Sequence, residues 1–149
     1  VPAGLPADTA VHAWREDEVV AVLRADHPLA GRAYADLVEV ARQPLIMREP
    51  GSGVRRLVER AFEQAGLEYD VALELAGVEG VKQAVRAGLG VGFASQLSMR
   101  HEDGLLQPLR LGRRGLRRTL SILVPHASAP ARAAARFLRR CLETAAEPA

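Results

Sequence analysis

Between residues 43 and 95 the hydrophobic pattern switches twice from a short apolar run to a 3.6-residue period and back, and this alternation restricts the fold more than any other feature. "QPLIM" (43–47) is a continuous apolar run. From Val54 to Ala65, the residues Val54, Leu57, Val58, Ala61, Phe62 and Ala65 fall on one helical face. Arg55, Arg56, Glu59, Arg60 and Glu63 take the other, and Gly66 follows as a C-terminal stop. "YDVALEL" (69–75) reads as a strand. "VEGVKQAVRAG" (78–88) is a helix with Val78, Val81 and Val85 inward and Gly88 as its stop, and "GVGFA" (90–94) is a buried strand. Strands joined through helices form βαβ crossovers, which require parallel neighbours and a sheet covered on both faces.

The flanking chain extends the same pattern. "EVVAVL" (18–23) predicts a strand that Pro28 and Gly31 break, and "YADLVEVA" (34–41) predicts a short helix. Another short helix is expected from Gln96, then strands in "GLLQPLRL" (104–111) and "RRTLSILV" (117–124). A last helix runs from Ala129 to Thr144, introduced by Pro130. With 149 residues and 48% apolar content there is material for one real core. The expected class is α/β, with a parallel or mixed sheet, read as mostly parallel over residues 20–125, flanked by helices.

Several function classes recede on composition. The formal charge is +2, with acidic residues spread through the same segments as the basic ones, so no basic face for nucleic acid is implied. The arginine-rich "RLGRRGLRR" (110–118) has no interleaved aromatics and reads as a solvated loop. A single cysteine, Cys141, rules out an internal disulfide; it falls in the stripe Ala134, Phe137, Leu138, Cys141, Leu142, Ala145 and is expected to be a packed thiol. No apolar run is long enough to span a membrane and no leader pattern is present, so a cytoplasmic protein without a membrane partner is expected. The histidines at 12, 27, 101 and 126 lack metal spacing, and Ser52 and Ser95 have no adjacent histidine or acid. Neither a metal, a cofactor nor a catalytic residue is expected.

The chemistry-bearing stretch is "REPGSGVRR" (48–56). A strand ending near Met47 and a helix starting near Ser52 define the carboxyl edge of a parallel sheet, where ligands of such folds gather. Ser52 is a natural N-cap, Gly51 lets the chain bend, and Gly53 bares the backbone so that an anion can approach the amides of the first turn. The same residues serve equally well as a plain turn and cap. The lysine of a phosphate-binding P-loop is missing, so nucleotide hydrolysis is not supported. "LAGVEG" (75–80) repeats the strand-to-helix junction with Gly77, Val78 and Glu79, and "GLGVGFAS" (88–95) brings Ser95 to the same edge. "GLG" follows a helix and precedes a strand, the wrong order for a dinucleotide fingerprint.

Three blocks in register, "EVVAVLRADHPLAG", "LIMREPGSGVRRLVERAFEQAG" and "GVEGVKQAVRAGLGVGFAS", followed by "GLLQPLRL" and a terminal helix, resemble the effector-binding domain of LysR-type transcriptional regulators over about residues 11–143. The resemblance implies a fold like that of type 2 periplasmic binding proteins, in which two strands cross between lobes that hold a small effector. "EDEVVAVL" and "RRTLSILV" would be those strands. Residues 1–18 would be a remnant of the first lobe and the first crossing strand, 19–118 the complete second lobe, and 119–149 the second crossing strand and a helix returning to the first lobe. The first lobe would be partial and the chain amino-terminally truncated. The implied partners are a small anionic metabolite, a second copy in a homodimer or homotetramer, and DNA through a winged helix-turn-helix absent from this chain. The implied effector contacts are Gly51, Ser52, Gly53, Val54, Gly77, Val78, Glu79 and Ser95. Val54 stands where similar members carry threonine, and Gly77 and Val78 where they commonly place serine and threonine. Fewer hydroxyl donors remain, so backbone amides and Ser52 would hold the anion. The alternative is an enzyme or transport binding protein of the same fold acting on a small anionic ligand.

Overall fold

In the computed structural model, which describes residues 4–6, 8–125 and 131–145, two units are distinct: Asp17–Arg117, and a second formed by the chain on either side of it. The first unit is organised by strand β1 (Thr9–Arg24), whose residues Val19, Val20, Ala21, Val22 and Leu23 are all essentially inaccessible to solvent. Successive strand side chains point to opposite faces. Val19, Ala21 and Leu23 therefore join one apolar cluster while Val20 and Val22 join another.

Around β1 the sheet runs β2 (Tyr34–Ala35), β6 (Leu106–Leu111), β1, β5 (Gly92–Ser95). β7 (Leu116–Pro125) also pairs with β1. A parallel bridge between Leu45 and Val91, with Ile46 N–H donating to the Val91 carbonyl at 2.9 Å, attaches β3 (Pro44–Arg48) beyond β5. β3 in turn pairs in parallel with β4 (Asp70–Leu75), in register Arg48 with Leu75. Helices α1 (Leu37–Ala41) and α2 (Gly53–Gln64) cover one face through Val40, Val54, Val58 and Phe62. Helix α3 (Val78–Arg86) covers the other through Val81, Ala84 and Val85. This two-sided cover is why β1, β3 and β5 read as continuous apolar runs.

Three expectations need correction. The sheet is the mixed form of the expected class and not mostly parallel: β1 is antiparallel to both β5 and β6, and parallel pairing is confined to β2 with β6, β3 with β4 and the bridge from β3 to β5. A buried strand is apolar on both faces whichever way its neighbours run, so its composition carries no direction. The helix expected over 34–41 begins only at Leu37, because Asp36 and Glu39 form a capping box there, leaving Tyr34 and Ala35 free to pair with Arg110 and Leu111. Cys141 is half-buried rather than packed away: helix α4 (Arg132–Thr144), in the second unit, buries none of its residues, and Phe137 is 71% exposed. The Ala129–Pro130 start expected for that helix lies outside the described residues.

Phe62 joins α2 to the sheet. It is fully buried, with its ring 5.0 Å from that of Tyr69 and 6.3 Å from that of Phe93 on β5. Phe62→Ala is expected to lower unfolding stability by about 3–5 kcal/mol through lost transfer energy and the cavity left behind. Urea denaturation followed by circular dichroism measures it, and a loss below about 1 kcal/mol would show that the site collapses freely.

Candidate functional site

Because β4, β3 and β5 run in the same direction, the loops leaving their carboxyl ends share one edge. These loops follow Arg48, Leu75 and Ser95. The β3 loop turns at Gly51 and enters α2 at Ser52, whose Oγ accepts the Arg55 amide at 3.5 Å, the long limit of a hydrogen bond. The β4 loop enters α3 at Gly77, which offers no side-chain cap. Both Gly51 (φ 90°) and Gly77 (φ 77°) occupy the left-handed region, where any other residue would be strained.

What joins these loops lies outside the sequence-derived site. The backbone of Glu49 donates to the Leu75 carbonyl at 3.1 Å and accepts the Ser52 amide at 3.2 Å. Its side chain reaches across to α3, where Oε2 accepts the Gly77 amide at 3.3 Å. Arg48 holds both carboxylate oxygens at 2.8 Å. The Arg48 contact foremost, with backbone amides including that of Gly77, pulls the Glu49 carboxyl down to about 2. Arg55 is likewise engaged by Glu59 at 2.7 Å and Glu74 at 2.5 Å, and its guanidinium is held above its usual range. Arg56 donates to the Gly51 carbonyl at 3.0 Å.

The third loop is tied to α3 by Lys82. Its ammonium group donates to the Ser98 carbonyl at 2.7 Å and pairs with Glu102 at 2.6 Å and Glu79 at 3.3 Å, with the side chain only 7% exposed. Burial disfavours its charge, but the hydrogen bonds to Glu102 and Glu79 outweigh that and raise its pKa. Ser98 Oγ donates to the Ser95 carbonyl at 2.7 Å, and Ser95 Oγ donates to the buried Asp17 at 2.6 Å while accepting the Leu97 amide at 3.2 Å.

The eight sequence-derived residues therefore divide by what they present. Gly51, Gly53, Gly77 and Glu79 are exposed, Ser52, Val78 and Ser95 are half-buried, and the Val54 side chain belongs to the core. Ser95 has its hydroxyl proton engaged by Asp17, so it serves an incoming group less freely than Ser52 does. The first turns of α2 and α3 carry amides without intrahelical acceptors, aligned with the positive ends of the helix dipoles. No group of side chains fit to hold a metal ion occurs among the described residues. Glu49, Asp17 and Lys82 were missed, though each left a trace. Glu49 adjoins the glycine turn, Asp17 sits at the edge of the buried run of β1, and Lys82 occupies the apolar face of α3 by spacing from Val78, Val81 and Val85.

A model of the LysR substrate binding domain matches residues 2–146. The HTH-type transcriptional regulator CbbR of Xanthobacter flavus is 40% identical over 114 residues, covering 74% of this chain and 34% of that protein. The HTH-type transcriptional activator CmpR of Synechocystis is 36% identical over 102 residues, covering 68% and 33%. The chain thus spans about a third of the length of these curated relatives. Among solved structures, the regulatory domain of Synechocystis CcmR in complex with 2-PG superposes with a TM-score of 0.87 at 26% identity, covering 99% of this chain and 71% of that one.

Two measurements check the site's geometry. Ser52→Ala is expected to cost about 0.5 kcal/mol, the low end for an N-cap, because the bond it removes is long; matched urea melts would show it. A Glu49 carboxyl held near 2 stays charged well below the ~4.3 of an unfolded glutamate. Its stabilising ties are therefore complete above that higher value and disappear as pH falls toward the lower one. The Gly77 amide resonance should titrate with a midpoint near 2, and a midpoint at the ordinary glutamate value would remove the contact from solution.

Proposed function

Because the chain belongs to the LysR substrate-binding domain family, we propose that it is the effector-sensing part of a LysR-type transcriptional regulator and that it binds a small anionic metabolite at the mouths of α2 and α3. The observation that carries this reading is the convergence of two helix amino termini, Ser52 and Gly77, on one sheet edge, tied together through Glu49. Amide groups of a first turn, with the helix dipole behind them, favour negative charge without a dedicated cation. Gly51, Ser52, Gly53 and the Val54 amide would form one wall. Gly77, Val78 and Glu79 would form a second, and Ser95 the far end. The complex of the CcmR regulatory domain with 2-PG supports a small ligand in this family.

The chain acts here as a sensor rather than an enzyme, in keeping with relatives named as transcriptional regulators. Residues 19–118 are taken as one complete lobe of the sensor. Ligand binding would shift the population of conformers in a homodimer or homotetramer and so the geometry of a DNA-binding winged helix outside these residues.

Titrating a panel of small carboxylates and phosphates, with 2-PG among them, into the chain while following backbone amide resonances tests the site. At least one compound should move Ser52, Gly53, Val78 and Glu79, and Ser52→Ala should weaken that compound. A panel in which every compound leaves those amides unmoved would refute the site. With DNA, the chain is expected to give only weak, salt-sensitive association. A gel shift on a defined operator that survives excess competitor would overturn the division of labour.

A further inference from the structure

We infer that Glu49 is a built-in competitor for the effector: its carboxylate stands at the mouth of α3 where the bound anion must also lie, so the charge at position 49 sets the affinity of the site. The inference rests on the effector-site reading and adds to it a device that limits binding.

Gly77 gives α3 no side-chain cap, and the side chain that reaches its mouth comes from another loop, as Glu49 Oε2 at 3.3 Å from the Gly77 amide. A carboxylate at that place does what a bound anion would do, accepting an amide at the positive end of a helix. The same carboxylate engages Arg48 through both oxygens, so the guanidinium beside the turn already has a full negative partner. Arg55 is held by Glu59 and Glu74 in the same way. An arriving anion therefore meets a negative charge, while Arg48 and Arg55 are already paired and Arg56 donates to the Gly51 carbonyl. The Glu49 side chain is 38% exposed and lies at the surface of this rim rather than beneath it, so it can swing aside without opening the core.

Two roles for Glu49 predict opposite signs. As a strut it holds the loops of β3 and β4 at the right spacing, and its loss weakens binding. As a competitor it repels the ligand, and neutralising it tightens binding. Glu49→Gln separates them, because the amide oxygen still accepts from Gly77 while the charge is gone and the Arg48 charge is released to the ligand.

The experiment uses the whole chain, with inorganic phosphate and 2-PG as probes and the amides of residues 51–54 and 77–79 as reporters. Thermal melts establish that each variant is folded. In the wild type the probe should shift these amides. In Glu49→Gln the dissociation constant should fall about fivefold, the scale of an exposed charge–charge interaction. The gap between the two should close as salt rises from ~20 to ~300 mM, since screening acts on repulsion and not on a strut. Glu49→Ala should change affinity in the same direction, which keeps the test independent of how the glutamine side chain settles. Equal or weaker binding by both variants, with the wild type responding at those amides, would overturn the competitor role and leave the site. If neither probe moves those amides in any of the three proteins, the site reading falls and the competitor role falls with it.

Discussion

The parallel pairing of β3 with β4, in register Arg48 with Leu75, is the constraint on which the functional edge depends. β3 is buried, with Leu45 and Met47 facing one apolar layer and Ile46 the other, so a shift of one residue would exchange those faces. The faces of β3 are therefore set, and its pairing with β4 takes up a one-residue register shift between Leu45 and Ile46 before it reaches Arg48. Since each strand is followed at once by a loop and a helix, fixing the two strands also fixes the first turns of α2 and α3 relative to each other. The backbone of Glu49 locks the arrangement just past the last paired residue, donating to Leu75 and accepting from Ser52.

Polar contacts then connect what the apolar layers have positioned. Glu49 joins the β3 loop to the mouth of α3, and Lys82 joins α3 to the turn that follows Ser95. The two ties differ in physical character. Lys82 and Glu102 are almost withdrawn from water, with 7% and 11% of their side chains exposed, and removing one partner would leave a charge poorly solvated. Glu49 is far more exposed, so its ties are screened and adjustable. In the proposed sensor such a division would set a rigid frame behind the site and a surface contact able to exchange partners.

The fold was legible where hydrophobic period and stop signals agreed. The α2 stripe from Val54 to Ala65 and the α3 stripe through Val81 and Val85 are both amphipathic and both end in glycine, and the helices form there. Strand direction was not legible, since Val19 to Leu23 would look the same between parallel or antiparallel neighbours. The first part of β1, Thr9 to Arg15, was not read as a strand because its pattern mixes His12 and Arg15 with apolar residues. At the site, Ser52 and the two glycines announced themselves by type. Glu49 did not, because its importance comes from contacts with Leu75 and Gly77, both far along the chain, that only the β3–β4 pairing creates.

Few hydroxyl side chains stand at the two helix mouths, which bears on what would select a ligand in the proposed site. A threonine or serine hydroxyl turns to donate to, or accept from, the group that arrives. The amides of a first turn are held by the helix and only donate, so they favour compact negative groups of suitable size. With Val54 turned into the core and Gly77 bare, discrimination would rest on charge and steric access more than on adaptable hydroxyls. The carboxylate of Glu49 would then gain weight, because in a site with few hydroxyl partners the local charge balance decides which anions stay bound. In the proposed site the charges of residues 48, 49, 55 and 56 would then weigh most in affinity.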